Sequence, residues 1–376
     1  MLKFFNIEFS FIFTASVLLS LIIICFGHGF RKFKKRNDTK AIQASHVKPA
    51  PRIGGLSIMI ALVLVAMPFL QITNSWLNYS LLLLSAFPVF LVGIFEDLGY
   101  FSSPRVRFLA AVFSSALFVF LFEQWLPRTD IPGLDLAIQW APIGIAFSIF
   151  LATGVSHAFN LIDGLNGLAG FIAAGVALSL AVISYQFELY EHLNVLFILI
   201  SAISGFLVLN FPLGKIFLGD GGAYFIGHIL VWMAISILCE VPNISPLAML
   251  LIFFFPVADT LLAIVRRLYL GRYISHPDRL HFHQLIMRGI EIVLLGRKRR
   301  HISNPLATAF MLPLAFTPMF VGVLLALDRS KAMIALLLFT TLFLSTYKIC
   351  IWLILRSKSL VKKSRFEKQA SVDEIS

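Results

Sequence analysis

Charge is what this sequence has least of. Asp, Glu, Lys and Arg make up 13% of its 376 residues, against about 25% in soluble globular proteins, which excludes an ordinary water-soluble fold. Cysteine is almost as scarce. Cys25, Cys239 and Cys350 stand singly in or beside apolar runs with no Cys-x-x-Cys spacing, so neither a disulfide framework nor a thiolate zinc site is indicated. No polar stretch is long enough for a separate soluble domain, and no internal repeat stands out.

Apolar residues fill the space left by charge: they form 59% of the chain, with a mean hydropathy of +0.89. About 20 apolar residues cross a bilayer. On that measure the sequence predicts eleven spans, at 9–30, 53–71, 77–95, 105–122, 137–158, 167–185, 193–210, 223–239, 246–265, 306–326 and 332–355. The expected fold is an all-α integral membrane protein, with 1–356 as one polytopic transmembrane domain and 357–376 as a basic, disordered cytoplasmic tail. The first run lacks a small-residue cleavage site and meets a basic stretch, so it reads as a retained span.

An odd number of spans places the termini on opposite sides, and Lys and Arg decide which is which. Segments 31–52, 96–107, 159–166, 211–222, 266–305 and 356–376 hold 26 of the 31 basic residues, and the alternating segments hold 4. Short cytoplasmic loops retain positive charge, so the N-terminus is expected outside and the C-terminus in the cytoplasm. Topology and attraction to anionic lipid headgroups then account for the net charge of +12 without a nucleic-acid partner. Glu96, Asp97, Asp163, Asp220 and Asp278 fall on the same side, and Asp259 lies about two turns inside the ninth span.

Four stretches on that side combine residues that hydrocarbon would not tolerate. HAFNLIDGLNGLAG, at 157–170, sets Asn160, Asp163 and Asn166 beside two glycine turns. Capping explains one or two such residues, and three with glycine partners less easily. GIFEDLGYFSSPRVR puts Glu96 and Asp97 at a helix C-terminus, against the macrodipole, which calls for a compensating cation. NFPLGKIFLGDGGAYFIGH places Asp220 before two glycines with Lys215 nearby, either as a helix cap or as an oxygen ligand for magnesium beside a phosphate. The stretch ADTLLAIVRRLYLGRYISHPDRLHFHQLIMRG gathers Arg266, Arg267, Arg272, His276, Arg279, His281 and His283, donors suited to a pyrophosphate. His281 and His283 share a face in extended backbone, while Asp259 is equally a structural ion-pair partner and a functional acid.

These stretches, in this order at these span ends, resemble the polyprenyl-phosphate N-acetylhexosamine-1-phosphate transferases, members of glycosyltransferase family 4. The likeness runs from HVKPAPRIGGLSI at 46–58 to HPDRLHFHQLI at 276–286. It implies a cytoplasm-facing site in a bacterial inner membrane, dependence on Mg²⁺ with Mn²⁺ as an alternative, and transfer of a sugar-1-phosphate from a UDP-N-acetylhexosamine to undecaprenyl phosphate. It implies Asp220 as the metal ligand, Phe217 against the uracil, and Glu96, Asp97 and Asp163 as catalytic acids. Asn160, Asn166, Lys215, Arg279, His281 and His283 are then substrate contacts, and a homodimer is left open.

Three positions depart from the family pattern: Glu96 for the first acid of a pair, Asn166 for the second acid of the central loop, and Gln284 for the fourth position of the His motif. Together they point toward enzymes that initiate polysaccharides such as O-antigen, and away from the peptidoglycan branch with its phospho-MurNAc-pentapeptide transferase. The competing class is a secondary transporter, whose sites tend to lie near the midplane.

Overall fold

The computed structural model describes residues 2–26, 50–66, 76–100, 103–271, 280–296 and 299–373. Among these, every regular element is helical, and nine helices are long and apolar enough to cross a membrane. In chain order the α-helices are α1 (Leu2–Phe26), α2 (Gly54–Ile60), α3 (Trp76–Asp97), α4 (Pro104–Phe122), α5 (Pro132–Ile138), α6 (Ala141–Ile162) and α7 (Leu168–Gln186). They continue with α8 (Tyr190–Asn210), α9 (Gly219–Glu240), α10 (Pro246–Ile252), α11 (Phe254–Tyr269), α12 (Phe282–Ile290), α13 (Arg300–Leu324) and α14 (Arg329–Asp373).

Two expected spans have a different form. In the segment expected at 53–71, the described residues form an apolar helix, α2, that runs into a π turn at Ala61–Ala66, and 67–71 lie outside the described residues. The segment expected at 246–265 is two helices, α10 and α11, that meet at 84° around Phe253. Pro256 accounts for the break: it has no N–H for the Ile252 carbonyl, and its ring would crowd that oxygen in a straight helix. Counting the bent pair once gives up to ten such spans among the described residues.

The last helix departs from expectation too. Instead of ending in a disordered tail it continues to Asp373. Lys, Glu, Gln and Ala are good helix formers, and a tail that extends an existing helix need not form a new nucleus.

At the centre stands α9, 94% of whose apolar window is buried, compared with 11% for α14 at the periphery. It packs chiefly on α3 and α6, with α2 across its first turn. Tyr224, His228 and Trp232, four residues apart, are buried on it, and His228 meets the Ser85 hydroxyl of α3 at 3.1 Å. At the end of the bundle away from the acidic helix ends, a clasp joins three loops. Asp130 accepts bonds from Arg128 Nε at 3.0 Å and Ser245 Oγ at 2.7 Å, while its carbonyl takes Arg329 Nη2 at 2.7 Å. Holding that end closed fixes the helices whose other ends build the site.

Candidate active site

The first turn of α9 is where the acids meet. Residues 51–55 and 217–219 run side by side: Phe217 donates its N–H to the Pro51 carbonyl, Gly54 to Phe217 and Gly55 to Leu218, each at 2.8 Å. This pairing presses Gly55 onto Gly222, and Gly221 meets Gly93 of α3. Backbones pass this closely only where no side chain intervenes, which is why the sequence reads RIGG on one segment and GDGG on the other. Gly219 has φ +79° and lies between the Arg52 carbonyl and the Asp97 carboxylate, so it is constrained both in conformation and in space.

Asp97 caps α9 from outside. Its Oδ1 accepts the Asp220 N–H and its Oδ2 the Gly221 N–H, both at 3.0 Å. Leu218, at the N-cap position of α9, makes no side-chain cap bond. An acid that opposes the dipole of its own helix thus faces the positive end of another. Asp220 is free of capping work and turns to two guanidinium groups: Arg107 Nη1 lies 2.9 Å from its Oδ2 and Arg52 Nη2 lies 3.8 Å from its Oδ1. Arg107 also stands 3.6 Å from Glu96 Oε1, so one cation in the first turn of α4 serves two acids.

The 160–167 loop closes the other side. Helix α6 ends four residues later than hydropathy suggests, which puts Asn160 in its last turn and Asp163 at its C-cap. Burial pushes the Asp163 carboxyl up to about 7. Arg52 and the Gly219 N–H oppose that shift, and the Asp220 charge adds to it. A carboxyl raised by burial and by a neighbouring acid's charge suits a site that takes a hard cation, and Asp163 and Asp220 offer the oxygen donors Mg²⁺ prefers. Among the described residues, no three His, Cys, Asp or Glu side chains are grouped to hold a metal unaided. Remaining ligands would have to come from substrate or water, which is the usual habit of Mg²⁺.

Asn166 has a different setting from the one its motif implies. Its side-chain amide donates to the Pro212 carbonyl at 3.0 Å, its N–H donates to Asn304 Oδ1 at 2.8 Å, and its carbonyl accepts the Thr308 hydroxyl at 2.7 Å. Asn210 completes the staple, accepting the Gly167 N–H at 2.6 Å and donating to the Ile216 carbonyl at 2.7 Å. These bonds lock the 160–167 loop to the 211–216 turn and to α13.

The histidines approach from α12. His283 is fully buried and its Nε2 abuts Gly164, whose missing side chain makes the room. Burial lowers its pKa to about 4, the neighbouring His281 reinforcing and Asp259 opposing that shift, so the ring is neutral at pH 7. The rings of His281 and His283 stack at 5.8 Å. They share a face as expected, although His281 is extended and His283 already lies in the helix. Phe217 is half-buried within the paired segments 51–55 and 217–219 and Lys215 is exposed, with no ion pair to the site acids among the described residues. Arg266 Nη1 lies 2.8 Å from the Tyr347 hydroxyl, and Arg279 lies outside the described residues. Arg52 and Arg107 are functional candidates that a reading of acids and histidines overlooks. Arg52 sits in the HVKPAPRIGG stretch, but nothing local marks Arg107.

A family model described as glycosyl transferase family 4 matches residues 79–238, from α3 to near the end of α9. A phospho-N-acetylmuramoyl-pentapeptide-transferase of Bacillus licheniformis is 30% identical over 248 residues, covering 61% of this chain and 74% of that protein. The chain belongs to glycosyl transferase family 4. A probable undecaprenyl-phosphate N-acetylglucosaminyl 1-phosphate transferase of Bacillus subtilis is 29% identical over 251 residues, 66% of this chain and 69% of that protein. A decaprenyl-phosphate N-acetylglucosaminephosphotransferase of Mycolicibacterium smegmatis is 26% identical over 325 residues, 76% and 80% respectively. The family match contains Glu96, Asp97, Arg107, Asn160, Asp163, Asn166, Phe217 and Asp220, and ends before His281 and His283.

Proposed function

We propose that this glycosyl transferase family 4 member transfers an N-acetylhexosamine-1-phosphate from a UDP-sugar to undecaprenyl phosphate, releasing UMP and starting a lipid-linked envelope polysaccharide. The observation that carries the reading is the meeting of Asp97, Asp163 and Asp220 with Arg52 and Arg107 at one end of an apolar bundle. Relatives named as polyprenyl-phosphate N-acetylglucosamine phosphotransferases support it. The proposed arrangement is eleven spans in a bacterial inner membrane, N-terminus outside, with this end of the bundle cytoplasmic. The basic-residue asymmetry supports that orientation.

In the reaction, an oxygen of the acceptor phosphate attacks the β-phosphorus of the UDP-sugar, the bond from that phosphorus to the bridging oxygen breaks, and UMP departs. Such transfers are catalysed by alignment and charge neutralisation. The second pKa of a phosphate monoester is about 6, so the acceptor is mostly dianionic at pH 7 without a base. Asp97 agrees with this economy, because both its oxygens are engaged with the N–H groups of α9. It positions Asp220 instead of taking a proton. Bound Mg²⁺, held by Asp220 with Asp163 beside it, would neutralise pyrophosphate charge. Arg52 and Arg107, paired with the acids in this structure, are placed to exchange toward phosphate oxygens, and Phe217 is offered as the aromatic against uracil.

The peptidoglycan branch is the second reading, favoured by the B. licheniformis likeness. Membranes containing the protein, given undecaprenyl phosphate, Mg²⁺ and either UDP-GlcNAc, UDP-GalNAc or UDP-MurNAc-pentapeptide, decide between them. UMP from an N-acetylhexosamine donor, abolished by EDTA, is expected. UMP from the pentapeptide donor alone would assign the other branch, and no UMP from any donor would overturn the enzyme reading.

A further inference from the structure

Asp259 lies outside the acid cluster and makes no contact with it, yet its carboxylate is fully used. It is 1% exposed on α11, and it reaches across to the start of α12 with both oxygens. Oδ1 accepts the Phe282 N–H at 2.9 Å and Oδ2 meets His281 Nδ1 at 2.8 Å. Phe282, between the two histidines, points the opposite way into Phe343 and Tyr347 of α14. The Tyr347 hydroxyl in turn donates to the Leu280 carbonyl at 3.0 Å. The chain is therefore gripped on both sides at 280–282, and the imidazoles of His281 and His283 are left on the face toward Gly164.

What remains unpaired there is informative. His281 Nε2 and both ring nitrogens of His283 are buried without a hydrogen-bond partner among the described residues. Three orphaned nitrogens, with His283 Nε2 against Gly164, are costly unless a polar ligand fills the space between them and the acids. A carboxylate on Nδ1 holds the proton at that nitrogen and turns Nε2 outward, the role a carboxylate plays behind a histidine that binds a metal or a phosphate. Resting on the function proposed above, we infer that Asp259 is a positioning residue: it fixes the ring of His281 so that Nε2 faces the phosphate-bearing substrate, and it acts on the reaction only through that ring.

Asp259→Asn is close to isosteric. Its amide oxygen can still accept the Phe282 N–H, while its NH₂ now faces His281 Nδ1 and drives the proton to Nε2. Four proteins test the inference: wild type, Asp259→Asn, His281→Ala and the double variant. Removing an orienting partner of this kind costs about 10- to 100-fold in activity. The expected result is such a loss of kcat/KM for Asp259→Asn in the wild-type background and less than about threefold in the His281→Ala background, because contacting residues are non-additive. An equal fold-loss in both backgrounds would overturn it, since a carboxylate that merely anchors α12 would act whether or not the imidazole is present. ¹⁵N-histidine spectra of the purified full-length protein supply a readout independent of turnover. His281 should carry its proton on Nδ1 in wild type and on Nε2 in Asp259→Asn, and a wild-type Nε2–H tautomer would refute the proposal even if no donor substrate yields UMP. If the tautomer is as expected but all four proteins lack transferase activity, the functional reading fails and Asp259 still orients His281.

Discussion

Replacing Gly222 by alanine isolates the closest approach in the site. The added methyl would lie 2.6 Å from Gly55 Cα and 2.7 Å from Leu218 Cδ1. Leu218 can swing its side chain aside, whereas Gly55 is backbone tied to Leu218 by a 2.8 Å hydrogen bond. The first contact is roughly 1 Å short of the ~3.5 Å at which carbon atoms pack, so α2 and the first turn of α9 must separate by about that much. Overpacking of this size costs about 1–3 kcal/mol, too little to unfold a large bundle. A misplacement of about 1 Å near reacting groups can cost roughly 100-fold in rate. Gly222→Ala should therefore keep its fold and lose about two orders of magnitude in UMP release under saturating Mg²⁺. Gly154→Ala is the control, since a methyl there meets nothing within 4 Å. In a helix that change gains up to about 1 kcal/mol and should leave turnover unchanged. Full activity in Gly222→Ala, with thermal stability as in wild type, would show that the glycine contact does not set the position of Asp220.

Arg107→Met leaves Asp220 without its 2.9 Å partner; with about 1.5–3 kcal/mol at stake in a charge-assisted bond, kcat/KM should fall roughly 10- to 100-fold, and an unchanged value would remove Arg107 from the site. Asn166→Asp would set a carboxylate oxygen against the Pro212 carbonyl where an amide now donates. We expect a loss of about 1–3 kcal/mol in thermal stability and no gain in turnover, and a more active variant would contradict the geometry. Asp163, with its pKa near 7, keeps a proton that the unfolded chain, near 3.9, has released. Its stabilising contribution is therefore full below about pH 4 and lost as pH rises through 7. A cation that binds the carboxylate must expel that proton, so apparent Mg²⁺ affinity should fall about tenfold per pH unit well below pH 7. An identical Mg²⁺ midpoint at pH 5.5 and 7.5 would exclude Asp163 from metal binding.

Much of this arrangement is legible in local sequence, for identifiable reasons. The order of apolar segments follows from hydropathy, and the clustering of Asp97, Asp163 and Asp220 follows from their placement at span ends that share the basic loops. What escapes is pairing across long separations. Arg107 and Asp220 are 113 residues apart, and Asn166 and Asn304 are 138 apart. Periodicity reports which face of a helix is apolar, while nothing in it says which helix ends touch. The two possibilities for Asp220, a cap or a ligand site, are separated only in three dimensions, where the cap turns out to be Asp97. Similarly, Asn166 reads as a weakened acid from its motif and as a three-way staple from its neighbours. The break at Phe253 was marked by Pro256, but a proline three residues into a helix is common enough that hydropathy alone passes over it.

The enclosure of α9 has a consequence for how the protein lives in its solvent. Lipid meets mostly α14 and α1, whose apolar windows are 11% and 17% buried, and hardly reaches α9, at 94%. When a membrane thins or thickens, helices adapt by tilting, at a cost borne where acyl chains touch protein. Here that strain is taken up by an outer ring, and the helix that sets Asp220 is mechanically insulated from it. Growth conditions that remodel acyl-chain length should alter how the bundle is seated without disturbing the spacing of its acids.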